Sequence, residues 1–358
     1  MPTIHVHTTQ RDYDVLVGHG RLSGLGAALG QRGPGGRAVI VCDENVAPLY
    51  SESAGESLGG AGYDVSEVVL PAGEQHKTLA RAEELYGVFY ERHLRRADVV
   101  VALGGGVIGD LAGFAAATYL RGVRLVQAPT TLLAMVDASV GGKVAVDFRA
   151  GKNHVGTFYQ PVLVVSDPAT LASLPERELR NGAAEVVKYG LLRGGGLLER
   201  VAAAVAGWSF DDELLAECVT VKAEIVARDE REEGGERQLL NLGHSIGHAV
   251  EAAAGFGGRP HGEAVGLGLR ATLWLSERLA GLSGEEAARG NQMLSAARLP
   301  ERLERNDVER VVGLVERDKK AGLGGVEFVL LSALGRPLRE VKVAPELIEE
   351  VVAWLATR

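Results

Sequence analysis

The chain is poor in cysteine and in positive charge, and it has no long apolar run. Only Cys42 and Cys218 occur in 358 residues. They are far apart and lack metal-type spacing, so neither a disulfide framework nor a cysteine-held zinc is indicated, and a reducing compartment fits. Net charge is -9, which argues against nucleic acid as a partner while leaving room for local basic pockets. The apolar stretch from Val99 to Ile108 stops at Gly109-Asp110, too short to span a bilayer. The first residues, Met-Pro-Thr-Ile-His-Val-His, show no charged-then-apolar export pattern. A cytoplasmic protein with no membrane partner is the expectation. No internal repeat or low-complexity segment stands out.

Glycine is what the chain does have, 48 residues of it, clustered in particular loops as though backbone must approach ligands closely. Hydrophobic content of 46% and charge of 24% are those of an ordinary globular protein, and the length suggests about two domains. Residues 3–8 and 13–17 alternate as a hairpin would. Buried-type strands follow at 37–43, 65–70, 97–103, 123–129 and 162–166, with a helix from Leu79 to His93 that Thr78 can cap. After Pro175 strand signals nearly vanish. Helical periodicity then covers 176–193, 196–206, 211–231, 238–254, 262–281, 284–297 and 307–316, before two short strands at 326–331 and 338–343 and a terminal helix. The expectation is an α/β domain over 1–174 and a mostly α-helical one over 175–358.

Strand 97–103 runs into Gly104-Gly-Gly106-Val-Ile-Gly109-Asp110. This is G-x-G-x-x-G in the strand-to-helix context of a dinucleotide site, where backbone N–H groups meet a pyrophosphate. The usual acid twenty residues on is missing, so Asp43, at a strand's end, or Glu74 would have to serve the ribose. Asp43 reads equally well as the cap of the element that follows it. Lys143 and Lys152 are expected in Gly-containing loops, where they suit anions, although solvated loop lysines are the commoner case.

The densest chemistry lies in Asn241-Leu-Gly-His244-Ser-Ile-Gly-His248 and Pro260-His261-Gly-Glu263. His244 and His248 are spaced i, i+4, so a helix presents both on one face. A Gly-rich turn over 255–260 can bring His261 back to them. Converging imidazoles with a carboxylate suit a divalent metal such as zinc, and Glu185, on the first helix after Pro175, is a candidate carboxylate. Spacing leaves open which three side chains would bind. A surface ion pair with Lys188 is the plainer account of Glu185.

Several blocks, in order, resemble the 3-dehydroquinate synthase family of sugar-phosphate cyclases. They are Gly73-Glu-Gln-His-Lys77, Gly104 to Asp110, Ala128-Pro-Thr-Thr to Gly-Gly-Lys143, Gly151-Lys-Asn153, Ala184-Glu-Val-Val-Lys188, Asn241 to His248 and His261-Gly-Glu-Ala-Val265. The resemblance implies a Rossmann-like NAD-binding domain followed by a helical domain that carries the metal. It implies zinc or cobalt on Glu185, His244 and His261, with His248 an active-site group instead of a ligand. It puts NAD contacts on Asp43, Glu74, Lys77, Gly105, Gly106, Val107, Gly109, Asp110, Thr130, Thr131, Lys143, Lys152 and Thr170. Substrate contacts would fall on Asp137, Lys143, Lys152, Asn153, Lys188, Lys222, Arg237, Asn241, His248 and one of Lys319 or Lys320. Arg121 would act across a homodimer interface. Ser245 and Ala72 depart from the family's commoner threonine and acid, and neither change removes a needed group.

The implied reaction converts 3-deoxy-D-arabino-heptulosonate 7-phosphate to 3-dehydroquinate and phosphate. Its steps are transient NAD-dependent oxidation, phosphate elimination, re-reduction, ring opening and an intramolecular aldol, with no net use of NAD. Lys152, Asn153 and Lys319 or Lys320 suit the phosphate, and Lys222 and Arg237 the carboxylate. A sister cyclase acting on sedoheptulose 7-phosphate, such as 2-epi-5-epi-valiolone synthase, is the nearest alternative. A metal-dependent polyol dehydrogenase is a further one.

Overall fold

Seven strands, in spatial order Thr3–Val6, Tyr13–Val17, Leu163–Ser166, Arg124–Pro129, Val99–Gly104, Arg37–Asp43 and Asp64–Leu70, make the main sheet of a computed structural model. The structure describes residues 1–33, 35–149, 151–255, 258–317 and 326–357. In chain order, the first part holds β1 (Thr3–Val6), β2 (Tyr13–Val17), α1 (Leu25–Gly30), β3 (Arg37–Asp43), α2 (Glu52–Gly60), β4 (Asp64–Leu70) and α3 (Leu79–Glu91). It continues with β5 (Val99–Gly104), α4 (Gly106–Thr118), β6 (Arg124–Pro129), β7 (Lys143–Phe148), β8 (Gly151–Phe158) and β9 (Leu163–Ser166). Then come α5 (Glu176–Arg193), α6 (Gly195–Gly207), α7 (Asp212–Arg228), α8 (His244–Ala254), α9 (His261–Leu279), α10 (Gly284–Ala296) and α11 (Val308–Arg317). The last elements are β10 (Val326–Ala333), β11 (Arg336–Val343) and α12 (Pro345–Thr357). No helix among the described residues is long and apolar enough to cross a membrane.

The described chain divides into two compact units, Met1–Pro175 with Asp211–Glu230, and Glu176–Phe210 with Arg231–Arg358. The sequence texture suggested one cut between 174 and 175; the fold adds α7 to the first unit, where it packs on β1 and β2.

In the first unit β1 and β2 pair antiparallel and the other five strands run parallel. Central strands read as unbroken apolar runs because helices cover both faces. Val39, Val41, Val100 and Ala102 point into the core under α3 and α4. Ala38, Ile40, Cys42, Val99, Val101 and Leu103 point the other way, under α1 and α2, as the two-residue period of a strand requires. Leaving β3, the chain pairs β4 on one side and then returns to place β5 on the other. The carboxyl ends of β3 and β5 therefore flank a topological switch point, the usual crevice for a ligand in such sheets.

Two expectations change here. Lys143 and Lys152 do not sit in loops: they lie on β7 and β8, an antiparallel hairpin with Lys143 opposite Phe158. The Gly-Lys-Asn-His run of β8 has little strand propensity. Pairing and the packing of Val144 and Val146 into the core beside α4 override it. The helix expected over 238–254 is also broken. A 3-10 turn covers Glu236–Asn241 and α8 starts at His244, after Gly243 adopts φ +81°.

In the second unit α9 is buried nearly along its length, from Gly262 to Ser276, with α5, α8, α10 and α12 packed around it. A helix that is apolar on most sides belongs at the centre of its unit. The β10–β11 hairpin, α11 and α12 complete that core through Val311, Phe328, Leu330, Ile348 and Val352.

Candidate functional site

The dinucleotide-type turn lies at the switch point, as its motif demands. Gly105 is the residue before α4, so the first N–H groups of that helix face outward from the end of β5. Space is tight at two of its glycines: a Cβ on Gly105 would lie 3.1 Å from Thr131 Cγ2, and one on Gly109 would lie 2.9 Å from Gln127 Oε1. Val107 occupies the same first turn of the helix. Thr130 N donates to Gly104 O (3.0 Å), and the Thr170 hydroxyl donates to Thr130 O (3.4 Å), joining the ends of β5 and β6. Thr131 Oγ1 accepts from Ala134 N and so starts the helical turn Ala134–Ala138, which carries Asp137. Asp43 ends β3, where its Oδ1 accepts from Asn45 N (2.9 Å) and Val46 N (3.1 Å). It caps its own loop beside the crevice.

A charged cluster forms close by. Lys77 Nζ, buried, donates to Asp110 Oδ2 at 2.5 Å and to Asn153 Oδ1. Glu74 Oε1 lies 3.9 Å from Lys77 Nζ and 4.0 Å from Lys152 Nζ. Burial works against the Lys77 charge, but Asp110 and Glu74 outweigh it and hold its pKa above the ordinary lysine value. Asp110 is raised by its own burial, against the pull of Lys77. Asp147, not among the expected residues, accepts from Asn153 N at 2.9 Å and thereby positions it. Lys222, on α7, donates to Asp137 O at 2.7 Å and lies 3.0 Å from Asp137 Oδ1. Lys143 begins β7 and is exposed. Arg121 stays apart from this group. It follows the far end of α4, about 20 Å of helix from Gly106, in a turn with φ +61°.

The second unit contains a different centre. Among the described residues, one group of potential metal donors lies with all its atoms within 4.8 Å of one another: Glu185, His244 and His261. Each comes from a different helix, α5, α8 and α9. Glycines let those helices meet. A Cβ on Gly268 of α9 would lie 1.8 Å from Gly243 O, and one on Gly262 would lie 2.0 Å from Asn181 O. Asn181 Oδ1 accepts from Gly262 N, so α5 caps the first turn of α9 and fixes where His261 starts.

The donor geometry fits a divalent ion. His244 Nε2 and His261 Nε2 lie 3.5 Å and 3.4 Å from the same oxygen, Glu185 Oε1. Tetrahedral zinc with bonds of about 2.0–2.1 Å holds its donors about 3.4 Å apart. The remote ring nitrogens are also committed, His244 Nδ1 to Leu242 O (3.1 Å) and His261 Nδ1 to Glu251 Oε2 (3.2 Å). Such partners turn Nε2 inward as the free ligand nitrogen. Burial, helped by Lys188, pushes the His244 pKa down to about 3 despite Glu185. Burial also opposes the charge of His261, but Glu185 and Glu251 overcome it and raise its pKa to about 9. Lys188 is buried against Glu185 Oε2.

His248 is exposed, its ring centroid 5.1 Å from that of His244 and 6.2 Å from that of His261. Arg237 is buried and Asn241 exposed on the 3-10 turn before α8. Lys319 and Lys320 lie outside the described residues. Glu251 and Asn181 were missed by the sequence reading. Glu251 stands seven residues after His244, a spacing that marks the same helical face.

Models of the 3-dehydroquinate synthase N-terminal and C-terminal domains match residues 67–181 and 182–321. A 3-dehydroquinate synthase of Desulforamulus reducens is 44% identical over 344 residues, 94% of this chain and 95% of that one. The 2-epi-5-epi-valiolone synthase of Streptomyces hygroscopicus, solved with NAD+ and Zn2+ bound, superposes with a TM-score of 0.88 at 29% identity, covering 98% of this chain and 99% of that chain. A 2-deoxy-scyllo-inosose synthase complexed with carbaglucose-6-phosphate, NAD+ and Co2+ gives 0.87 at 25% identity over 98% of this chain and 99% of that chain. With two domain models matched in tandem and a relative this similar along nearly its whole length, the chain belongs to the 3-dehydroquinate synthase family.

Proposed function

We propose that the chain is an enzyme that converts 3-deoxy-D-arabino-heptulosonate 7-phosphate to 3-dehydroquinate and phosphate, with NAD and one zinc or cobalt ion as cofactors. The observation that carries this reading is the convergence of Glu185, His244 and His261, at zinc-like donor spacing, in a chain of this family. NAD supplies reversible hydride transfer, and the metal supplies polarisation of substrate hydroxyl and carbonyl oxygens.

The position of each side chain supports a role in that reaction. The first N–H groups of α4, at Gly106 and Val107, are the seat for a pyrophosphate, and Asp43 and Glu74 flank it with acids for the ribose. Lys77 locks Asp110 and Asn153 in place, and Lys152, next to Asn153, is the cation for the substrate phosphate. Lys222, anchored on Asp137, suits the carboxylate, as does the buried Arg237. Lys188 balances Glu185. His248 is not one of the three converging donors but stands beside them, and proton exchange at the oxidised hydroxyl is the role we assign to its exposed imidazole. The leaving phosphate takes the proton in the elimination. We further read the active form as a homodimer in the cytoplasm, with Arg121 serving the partner's site. Its position away from its own cluster supports the dimer, and the buried, unbridged Cys42 and Cys218 suit the compartment.

The test is phosphate release from the heptulosonate phosphate by chelated, NAD-stripped protein, with NAD+ and zinc restored singly and together. Release that needs both, without NADH accumulating, is expected. Accumulation of NADH would indicate a polyol dehydrogenase, and turnover of sedoheptulose 7-phosphate in its place would move the chain to a sister activity.

A further inference from the structure

The two histidines of the metal centre are held differently. His244 turns its Nδ1 to a neutral backbone carbonyl, Leu242 O, at 3.1 Å. His261 turns its Nδ1 to a carboxylate, Glu251 Oε2, at 3.2 Å. That glutamate lies on α8, on the face that also carries His244 and His248, while His261 opens α9. Its side chain is only 12% exposed, against 28% for that of His261, so the carboxylate has little freedom to turn away. The face of α8 thus supplies one donor directly, through His244, and orients a second, on another helix, through Glu251.

We propose that Glu251 is a positioning residue of the metal centre: its carboxylate fixes the His261 ring with Nε2 toward Glu185 and sets the affinity of the site for a divalent ion. The inference rests on the metal reading above. A carboxylate behind a ligand imidazole has two effects that a carbonyl lacks in equal measure. It accepts the Nδ1 proton strongly enough to fix one tautomer, and it makes the ring a better electron donor at Nε2. It also adds a second buried negative charge near a site where Lys188 offsets that of Glu185. Negative charge this close to the centre favours a cation.

The experiment titrates metal-free wild type, Glu251→Gln and Glu251→Ala with Zn2+ against a chromophoric chelator, and records the visible absorption of the Co2+ forms. Glu251→Gln keeps the shape and an acceptor oxygen but loses the charge; Glu251→Ala loses both. A roughly 10–100-fold weaker zinc affinity is expected for the alanine variant, with a smaller loss for glutamine. The Co2+ spectrum should change in band position for alanine, because the ring is no longer oriented. Melting of the metal-free proteins separates a structural role: a site that is merely packing would lower that melting temperature and leave affinity per folded molecule untouched. Wild-type affinity and spectrum in both variants would overturn the inference while leaving the metal reading intact. Absence of stoichiometric zinc in the wild type itself would overturn both.

Discussion

Replacing Gly262 by alanine should damage stability and metal binding together, and the structure indicates by how much. The new Cβ would lie 2.0 Å from Asn181 O, 2.7 Å from its carbonyl carbon and 2.8 Å from its Cα. All three are backbone atoms inside α5, so no side chain can swing aside. An ordinary carbon–oxygen contact starts at roughly 3.3 Å, so α5 and α9 must part by more than about 1 Å. Forced overpacking of this kind costs about 1–3 kcal/mol. The hydrogen bond from Gly262 N to Asn181 Oδ1 is stretched as well, at about 1 kcal/mol more. Glu185 is one helical turn beyond Asn181 and His261 immediately precedes Gly262, so the same displacement widens the 3.4 Å gap between Glu185 Oε1 and His261 Nε2. Metal–donor distances tolerate only about 0.2 Å. Zinc affinity should therefore fall by at least the roughly 10–100-fold seen when a ligand loses its support. The assay is urea denaturation with chelator present, which removes the contribution of bound metal, followed by zinc titration of the folded variant. Gly87→Ala is the control of opposite sign: it stands in the middle of α3 with nothing within 4 Å of its Cβ, and should gain about 0.4–1 kcal/mol. Unchanged stability and zinc affinity in Gly262→Ala would refute the close-approach argument.

His244→Ala and His261→Ala should each lose stoichiometric zinc, measured by elemental analysis after dialysis, while His248→Ala keeps it and loses turnover; zinc retained by His261→Ala would remove that residue from the ligand set. In the metal-free protein, His261 titrates from about 9 in place of an ordinary 6.5. Its charged form therefore stabilises that state fully below about 6.5, and the contribution is lost as pH rises through about 9. Zinc must displace the proton, so apparent affinity should climb up to about tenfold per pH unit across that window, with close to one proton released per ion at neutral pH in a weakly buffered titration. An affinity independent of pH there would contradict it. Lys77→Met strips Asp110 of its 2.5 Å partner and should cost about 3 kcal/mol at neutral pH, the low end for breaking a buried pair. The deficit should shrink as pH falls and Asp110 takes up a proton, with NAD binding weakened at every pH; equal deficits at neutral and acidic pH by urea denaturation would count against the pairing.

How much of this was legible in the sequence depends on whether a feature is set along the chain or across it. The buried strands and the long helices carry their own periodicity, and the first glycine turn announces itself because a strand, three glycines and a helix follow one another directly. The β7–β8 hairpin has no such local mark, since β8 is held by pairing and β7 by its contact with α4. At the metal centre, spacing made His244 and His248 a pair, and their rings do meet, edge to face, at 5.1 Å. Yet a metal needs donors from several directions, and two side chains on one helical face supply only one. The donor set that does converge draws on three helices, and what brings those helices together is the absence of side chains at Gly243, Gly262 and Gly268, which composition reports but does not pair. A trace survives in the order of residues all the same. Two of the donors are flanked directly by one of these glycines, in Gly243-His244 and His261-Gly262, and the third follows Gly182-Ala-Ala, so a small residue beside each donor marks where backbone had to come close. Glu251 was equally open to such a reading, at three residues from His248 and seven from His244. A lone acid on a helix is usually solvated, and only the 3.2 Å contact with a histidine from α9 separates Glu251 from that majority.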